Sequence, residues 1–179
     1  MVRFEGIDER HRSFIEKQQM FFVATAAHEG RVNIAPKGMD SLRVLGPNRI
    51  VWLNLTGAEN ETAAHLLENP RMTLMWCSFD RKPLILRAYG KATSVHPRNS
   101  EWDELYRLFP DTPGLRQIHD LSVDLVLTSC GYGVPLYDFI GQRKTLIKWA
   151  DRLGSEGMRE YQEENNTLSL DGKPTGLLK

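Results

Sequence analysis

Apolar and polar positions alternate in short stretches through most of the chain, broken by a few runs of helical period. The segment IDERHRSFIEKQQ, with Asp8 in capping position, predicts a short amphipathic helix. The apolar run MFFVATA, Met20 to Ala26, predicts a strand buried on both faces. HEG then supplies a turn, and RVNIAP returns as the second strand of a hairpin. SLRVL, the turn signal GPN and RIVWLNL continue the meander. In NETAAHLLEN the period becomes helical, with Asn60 as candidate cap, Ala63, Leu66 and Leu67 as the apolar side, and Asn69-Pro70 as the stop. RMTLMWCSF and LILRAYGKATSV read as strands separated by DRKP. NSEWDELYRLF reads as a helix with Trp102, Leu105, Tyr106 and Phe109 on one face, and VDLVLTS as the last clear strand. KTLIKWADRLG and SEGMREYQEEN predict two short helices ahead of a polar tail.

Six or seven short, largely antiparallel strands with interspersed helices predict a mainly β (α+β) fold, a barrel or sandwich with peripheral helices. A length of 179 residues without repeat or compositional break is most simply one domain. Folding such a chain buries about 70% of the surface exposed when unfolded, so a core forms without covalent staples. Lys+Arg and Asp+Glu balance at 23 each, which leaves no bulk electrostatic case for nucleic acid or an anionic membrane as partner. The start, MVRFEGIDERHRSF, has no apolar signal region, and no run approaches the roughly 20 apolar residues of a membrane span. Cys77 and Cys130 form no close-spaced pair, so a reduced, cytoplasmic protein is expected.

None of the five histidines pairs with another at ligand spacing or stands beside a cysteine, so no metal site is expected. There is no G-x-S-x-G elbow and no Walker-type loop. Cys130 has no visible basic partner and reads as a small hydrophobe sooner than as a nucleophile. Two segments carry more. VNIAPKG sets Asn33 and Lys37 at a strand end before Gly38, where the lysine is either simply solvated or poised for a phosphate or an electron-rich ring edge. NLTGAENETAAHL leads from a strand through a polar loop into a helix start, whose unpaired amides and dipole suit an anion. A third stretch, SCGYGVPLYDF, places Gly131 and Gly133 around Tyr132. It reads either as a tight turn whose tyrosine covers the core edge or as backbone approaching a flat ligand closely.

Taken in order, FFVATAAHEGRVNIAPKG, IVWLNLTGAENETAAHLLENPRMTLMWCSF and LRAYGKAT resemble the flavin-binding split-barrel family of pyridoxamine 5′-phosphate oxidase, over roughly Ser13 to Phe139. SCGYGVPL resembles a subgroup of oxidase-like members. The resemblance implies a six-stranded antiparallel split β-barrel, with its core over about residues 13–139 and a helical extension and tail over 140–179. It also implies a homodimer with FMN in a cleft shared by two subunits. Carried over residue by residue, Asn33, Ala35 and Lys37 would floor the flavin ring. Trp52, Leu53 and Asn54 would contact it, and Asn60, Glu61 and Thr62 would hold the phosphate. Gly131 and Tyr132 would lie near the ring.

Two departures qualify this resemblance. Glu61 and Thr62 stand where family members often carry an Arg-Lys pair on the phosphate, so Thr62, helix amides, Lys37 or a partner-subunit cation would have to compensate. The Arg-x-His-Asp-Arg-like run that holds the vitamin substrate of the true oxidase is absent. The expected function is therefore an FMN-dependent oxidoreductase acting on some other small molecule or electron donor. A non-catalytic flavin or tetrapyrrole carrier, or a reductase using the deazaflavin F420, are the alternatives.

Overall fold

The protein, described here over residues 1–178 by a computed structural model, forms one antiparallel sheet with helices along its flanks. The first half contains β1 (Val2–Phe4), α1 (Glu9–Lys17), β2 (Phe21–Thr25), β3 (Asn33–Lys37), β4 (Leu42–Gly46) and β5 (Arg49–Leu55). After α2 (Glu61–Glu68) come β6 (Arg71–Cys77), β7 (Ile85–Val95), α3 (Trp102–Tyr106), β8 (Leu115–Ser129) and α4 (Thr145–Asn165). The strand order is β3-β2-β6-β7-β8-β5-β4, with β1 pairing onto β8.

Alternation along the strands sorts side chains into two cores. In β5, Ile50 and Trp52 enter the main cluster with Phe21, Leu74, Trp76, Leu86 and Leu121. Val51 and Leu53 point the other way and pack with Trp102, Leu105, Phe109 and Ile118 beneath α3. Each fully buried side chain of this size contributes about 1.5–3 kcal/mol. Asp8 caps α1 as expected: Oδ1 accepts from the His11 amide at 2.8 Å, and the His11 ring accepts from the Asp8 amide at 3.2 Å. The hydrogen bond from His11 N–H holds the Asp8 carboxyl below the usual range.

Several expectations need correction. The sheet has eight strands and is open, because its two ends, β3 and β4, share no ladder. β2 is not buried on both faces: Phe21, Val23 and Thr25 are buried, while Phe22 and Ala24 are only half-buried. β8 begins at Leu115, well before VDLVLTS, and runs 15 residues as the partner of both β5 and β7. Asn60 makes no side-chain cap on α2. Leu67 is 54% exposed, and the helix buries Thr62, Ala63, Ala64 and His65 instead. The two C-terminal helices are joined through Gly154, whose positive φ of 68° makes the kink.

The polar tail is packed, not free. Leu168 bridges Pro174, and Asn166, Thr175 and Leu177 are buried. Leu170 N–H donates to Glu61 Oε1 at 2.6 Å, and Lys173 Nζ to Glu68 Oε1 at 2.6 Å, so the tail clasps both ends of α2.

The glycines of SCGYG separate on conformation. Gly131 has φ of 67°, and a Cβ there would stand 3.0 Å from the Leu84 amide nitrogen. Gly133 has no positive φ and faces open space. Tyr132 is 82% exposed and covers no core edge. We expect Gly131→Ala to cost about 1–3 kcal/mol in urea unfolding of the ligand-free protein, and Gly133→Ala to stay within about 0.5 kcal/mol. Equal effects at both positions would contradict this assignment.

Candidate functional site

The ends of β3, β5 and β8 meet the start of α2 around a polar cleft of about 40 Å³. β3 contributes Asn33, Ala35 and Lys37 by its alternation, and β5 contributes Asn54. The loop and helix start contribute Glu59, Asn60, Glu61 and Thr62, and β8 contributes Arg116. Seven of the sequence-predicted residues are thus brought together. Trp52 and Leu53 are not: their side chains lie in the two cores, with the Trp52 ring tilted against His119 at 4.5 Å between centroids. Gly131 and Tyr132 follow the far end of β8, about 40 Å along the strand from Arg116 at roughly 3.3 Å per residue.

Arg116 is the feature that pattern reading missed. It is 4% exposed, yet its guanidinium meets only neutral amides. Nε and Nη2 donate to Asn54 Oδ1 at 3.1 and 2.6 Å, and Nη1 donates to Asn166 Oδ1 at 2.7 Å. No carboxylate pairs with it among the described residues. Burial draws its pKa down to about 10, which still leaves it charged at neutral pH. Lys37 lies in the same cleft with its ammonium 5.8 Å from the Trp52 ring centroid. Burial first, and the Arg116 charge second, lower Lys37 to about 8, with Glu59 opposing.

A layer of neutral polar groups lies behind these cations. Gln117 Nε2 donates to Asn60 Oδ1 at 2.6 Å, and Asn60 Nδ2 donates to the Asn166 carbonyl at 3.2 Å. Asn166 Nδ2 donates to the Gly57 carbonyl at 3.0 Å, and Thr175 Oγ1 to the Asn166 carbonyl at 2.7 Å. His119 is wholly buried, with Nδ1 3.1 Å from Ser94 Oγ. Burial, then Arg116, Lys37 and His96, push its pKa well below the ordinary value, so it is neutral. The C-terminal extension, through Asn166, therefore builds the back wall of the cleft.

The α2 start is arranged for an acceptor. No side chain caps it, since Asn60 is committed to the layer behind. Thr62 Oγ1 faces the cleft and accepts from Asn33 Nδ2 at 3.2 Å. Glu61, unfavourable for an anion in sequence, is occupied: it accepts from the Leu170 amide and lies 3.8 Å from His65 Nε2. Arg116 is buried and Lys37 half-buried, with Glu59 the one acidic group acting on Lys37, so the two cations are only partly compensated and an anion joining them is favoured. The donor set, a guanidinium, an ammonium, a hydroxyl and helix-start amides, fits a phosphate.

Lys37 also lines a second and larger space. A chamber of about 860 Å³ opens between the β3 end, Gln19 and Met20, and the segment from Phe139 to Arg152. Its volume is in the range of small-molecule sites. The cleft accommodates an oxyanion and no more, whereas the chamber has room for an aromatic ring system.

The depressed pKa of Lys37 generates a pH prediction. Above about pH 8 the folded lysine is neutral, while the unfolded one stays protonated up to its ordinary 10.5. The unfolded state then binds more protons, so this group makes stability rise with pH between those values. Lys37→Met should abolish that part of the rise, read as the wild-type-minus-variant difference in urea midpoint at pH 7.5 and 10. A difference that does not change with pH would refute the burial of the ammonium.

Comparison with known proteins agrees with this architecture. The family model described as pyridoxamine 5′-phosphate oxidase matches residues 7–128. The family protein ustO of Aspergillus flavus is 34% identical, in an alignment covering 97% of this chain and 77% of that protein. HupZ of Group A Streptococcus shares the fold with a TM-score of 0.56 at 17% identity, over 69% of this chain and 94% of HupZ. A Clostridium acetobutylicum protein related to general stress protein 26, of the pyridoxinephosphate oxidase family, aligns with a TM-score of 0.50 at 18% identity, over 69% of this chain and 91% of its own. Arg116 falls within the matched segment and Asn166 outside it. On the family match and the near full-length relative together, this chain belongs to the pyridoxamine 5′-phosphate oxidase family.

Proposed function

We propose that the protein is an FMN-dependent oxidoreductase whose substrate is not pyridoxine phosphate. The observation that carries this reading is the pair of cations in the cleft, Arg116 and Lys37, which lack a carboxylate partner within 4 Å and stand beside an uncapped helix start. Arg116, Lys37, Thr62 and the first α2 amides would hold the phosphate, and the chamber beyond Lys37 would take the ring. Bound FMN would supply hydride or single-electron transfer, so the chain needs no side-chain nucleophile of its own.

The residues then divide the work of binding and orientation. Asn54 and Asn166 fix the plane of the Arg116 guanidinium, so its remaining N–H directions are set before a ligand arrives. Pre-set donors of this kind lose little freedom on binding. Asn33 holds the Thr62 hydroxyl by donating to it, which leaves the Thr62 proton free to donate to a phosphate oxygen. Lys37, at the junction of cleft and chamber, sets positive charge between phosphate and ring.

A homodimer is part of the same proposal. β3 is an edge strand that turns Asn33, Ala35 and Lys37 toward the cleft and Ile34 outward at 68% exposure, beside Val32 at 70%. The segment after β8 adds Leu136, Tyr137, Phe139 and Ile140, each more than half exposed. Exposed apolar edges of this extent are normally covered, and a second copy would cover the outside of the strand that floors the cleft. An obligate interface buries about 2,000 Å² or more. No described helix is long and apolar enough to cross a membrane, and both cysteines are free thiols, in keeping with a reduced cytoplasmic setting.

The test is a flavin titration with FMN and riboflavin in parallel. Wild type should prefer FMN, and Arg116→Gln should weaken FMN by about 10- to 100-fold, the loss of one or two charge-assisted bonds, while barely affecting riboflavin. Sedimentation should show a dimer at micromolar concentration. Anaerobic reduction by NADH or NADPH separates the enzyme from a carrier, because a carrier holds FMN without turnover. Failure of FMN to bind, with F420 or haem bound instead, would replace the cofactor assignment.

A further inference from the structure

The 860 Å³ chamber carries charge of one sign. Of the residues lining it, Lys37, Arg143, Lys148 and Arg152 are cations and none is acidic. None of these four forms an ion pair among the described residues. Lysine and arginine at a surface are ordinarily just solvated, but their placement here is unfavourable in two ways. Cations suit the C-terminal end of a helix, yet these stand around the first two turns of α4, the first without an acidic residue and the second with Asp151 alone. Lys144, Lys148 and Arg152 also follow one another at i, i+4 and i+8, a like-charge stripe that weakens the helix. Such an arrangement is relieved when an anion lies among the charges.

The rest of the lining is mainly apolar. Met20, Leu146 and Trp149 form much of it. The Trp149 ring is held edge-on to Tyr161 at 4.9 Å, a contact made possible by the kink at Gly154 that folds the second half of α4 back. A rigid aromatic wall with cations at the rim matches a ligand that is apolar in body and anionic at one end.

We infer that the chamber is a binding site for an organic anion, a carboxylate or sulfonate on an aromatic or aliphatic body, gripped by Lys148 and Arg152 with its body against Trp149. That this anion is the substrate rests on the flavin reading above; that the chamber binds such an anion does not. The three rim cations belong to the segment beyond residue 128, outside the part of the chain matched by the family.

The experiment compares two fluorescent probes of nearly the same shape: 1-anilinonaphthalene-8-sulfonate, which is anionic, and N-phenyl-1-naphthylamine, which is neutral. Both are titrated into FMN-loaded wild type, into Lys148→Gln/Arg152→Gln, and into Lys91→Gln, which removes an exposed charge from β7. Wild type and Lys91→Gln should prefer the sulfonate by about tenfold, the effect of one charge-assisted bond, with the preference shrinking in high salt. The double variant should bring the two probes within about twofold while leaving FMN affinity unchanged and the melting temperature no lower than that of wild type. No preference in wild type, or a preference that survives in the double variant, would overturn the proposal. So would competition in which FMN displaces the sulfonate, because the chamber would then belong to the cofactor alone. If FMN does not bind at all, the function proposed above fails, and the same titration on the flavin-free protein still decides whether the chamber selects an anion.

Discussion

The site depends on a single buried guanidinium. Arg116 stands near the start of β8 beside the end of β5, out of water and without a carboxylate, held in place by two asparagine oxygens. Amide partners orient the charge without cancelling it. A carboxylate in either position would have made the arginine a closed structural ion pair and cancelled the positive charge on which the proposed phosphate site rests. The neighbouring polar layer follows from that choice. Gln117, Asn60 and neutral His119 provide hydrogen bonds at little cost in charge, so the field of Arg116 and Lys37 remains directed at the cleft.

That arrangement needs the C-terminal extension. Asn166 reaches the guanidinium, the Gly57 carbonyl and the Asn60 side chain, and Thr175 holds Asn166 in turn. The same tail engages Glu61 and Glu68 at the two ends of α2. Docking of the tail therefore engages Glu61, an acidic side chain that lines the cleft, and completes the support of Arg116. Extension and cleft form one cooperative unit, although the family pattern stops near the end of β8. The extension, beyond the residues 7–128 that the family model matches, also lines the larger chamber with Arg143, Lys148 and Arg152.

The Glu61–Thr62 departure bears directly on the proposed phosphate site. In a sequence, replacing an Arg-Lys pair by Glu-Thr looks like the loss of a phosphate grip. In the folded chain the charge comes from β8, 54 positions after Thr62, and Glu61 is satisfied elsewhere. A binding site is defined by where charges converge, and strands from distant parts of a chain can deliver the same charge to the same place.

Sheet and helices were legible in the sequence because they arise from local periodicity. Ile50, Val51, Trp52 and Leu53 announce a strand between two apolar layers, and Asp8 announces a helix start, without reference to anything distant. The residues Asn33, Lys37, Asn54, Asn60 and Thr62 were legible through the order of segments they belong to. The first half of β8 was not, since LRQIHDLS carries Gln117 and His119 on an inward face where a core strand would be apolar. Those residues are polar because they back the site, which is a property of the partner strand and not of the local pattern. Nor could the tail be read as structure: the Asn166 side chain and the Asn166 and Leu170 backbone satisfy groups more than a hundred positions away, at Gly57, Asn60 and Glu61. Periodicity records which face of an element is buried, and the sequence by itself determined that much. Which buried charge goes without its counter-ion, and which acidic group the tail engages, was decided only when β8 and the tail packed around the start of α2, because electrostatic partners are set by distance in space.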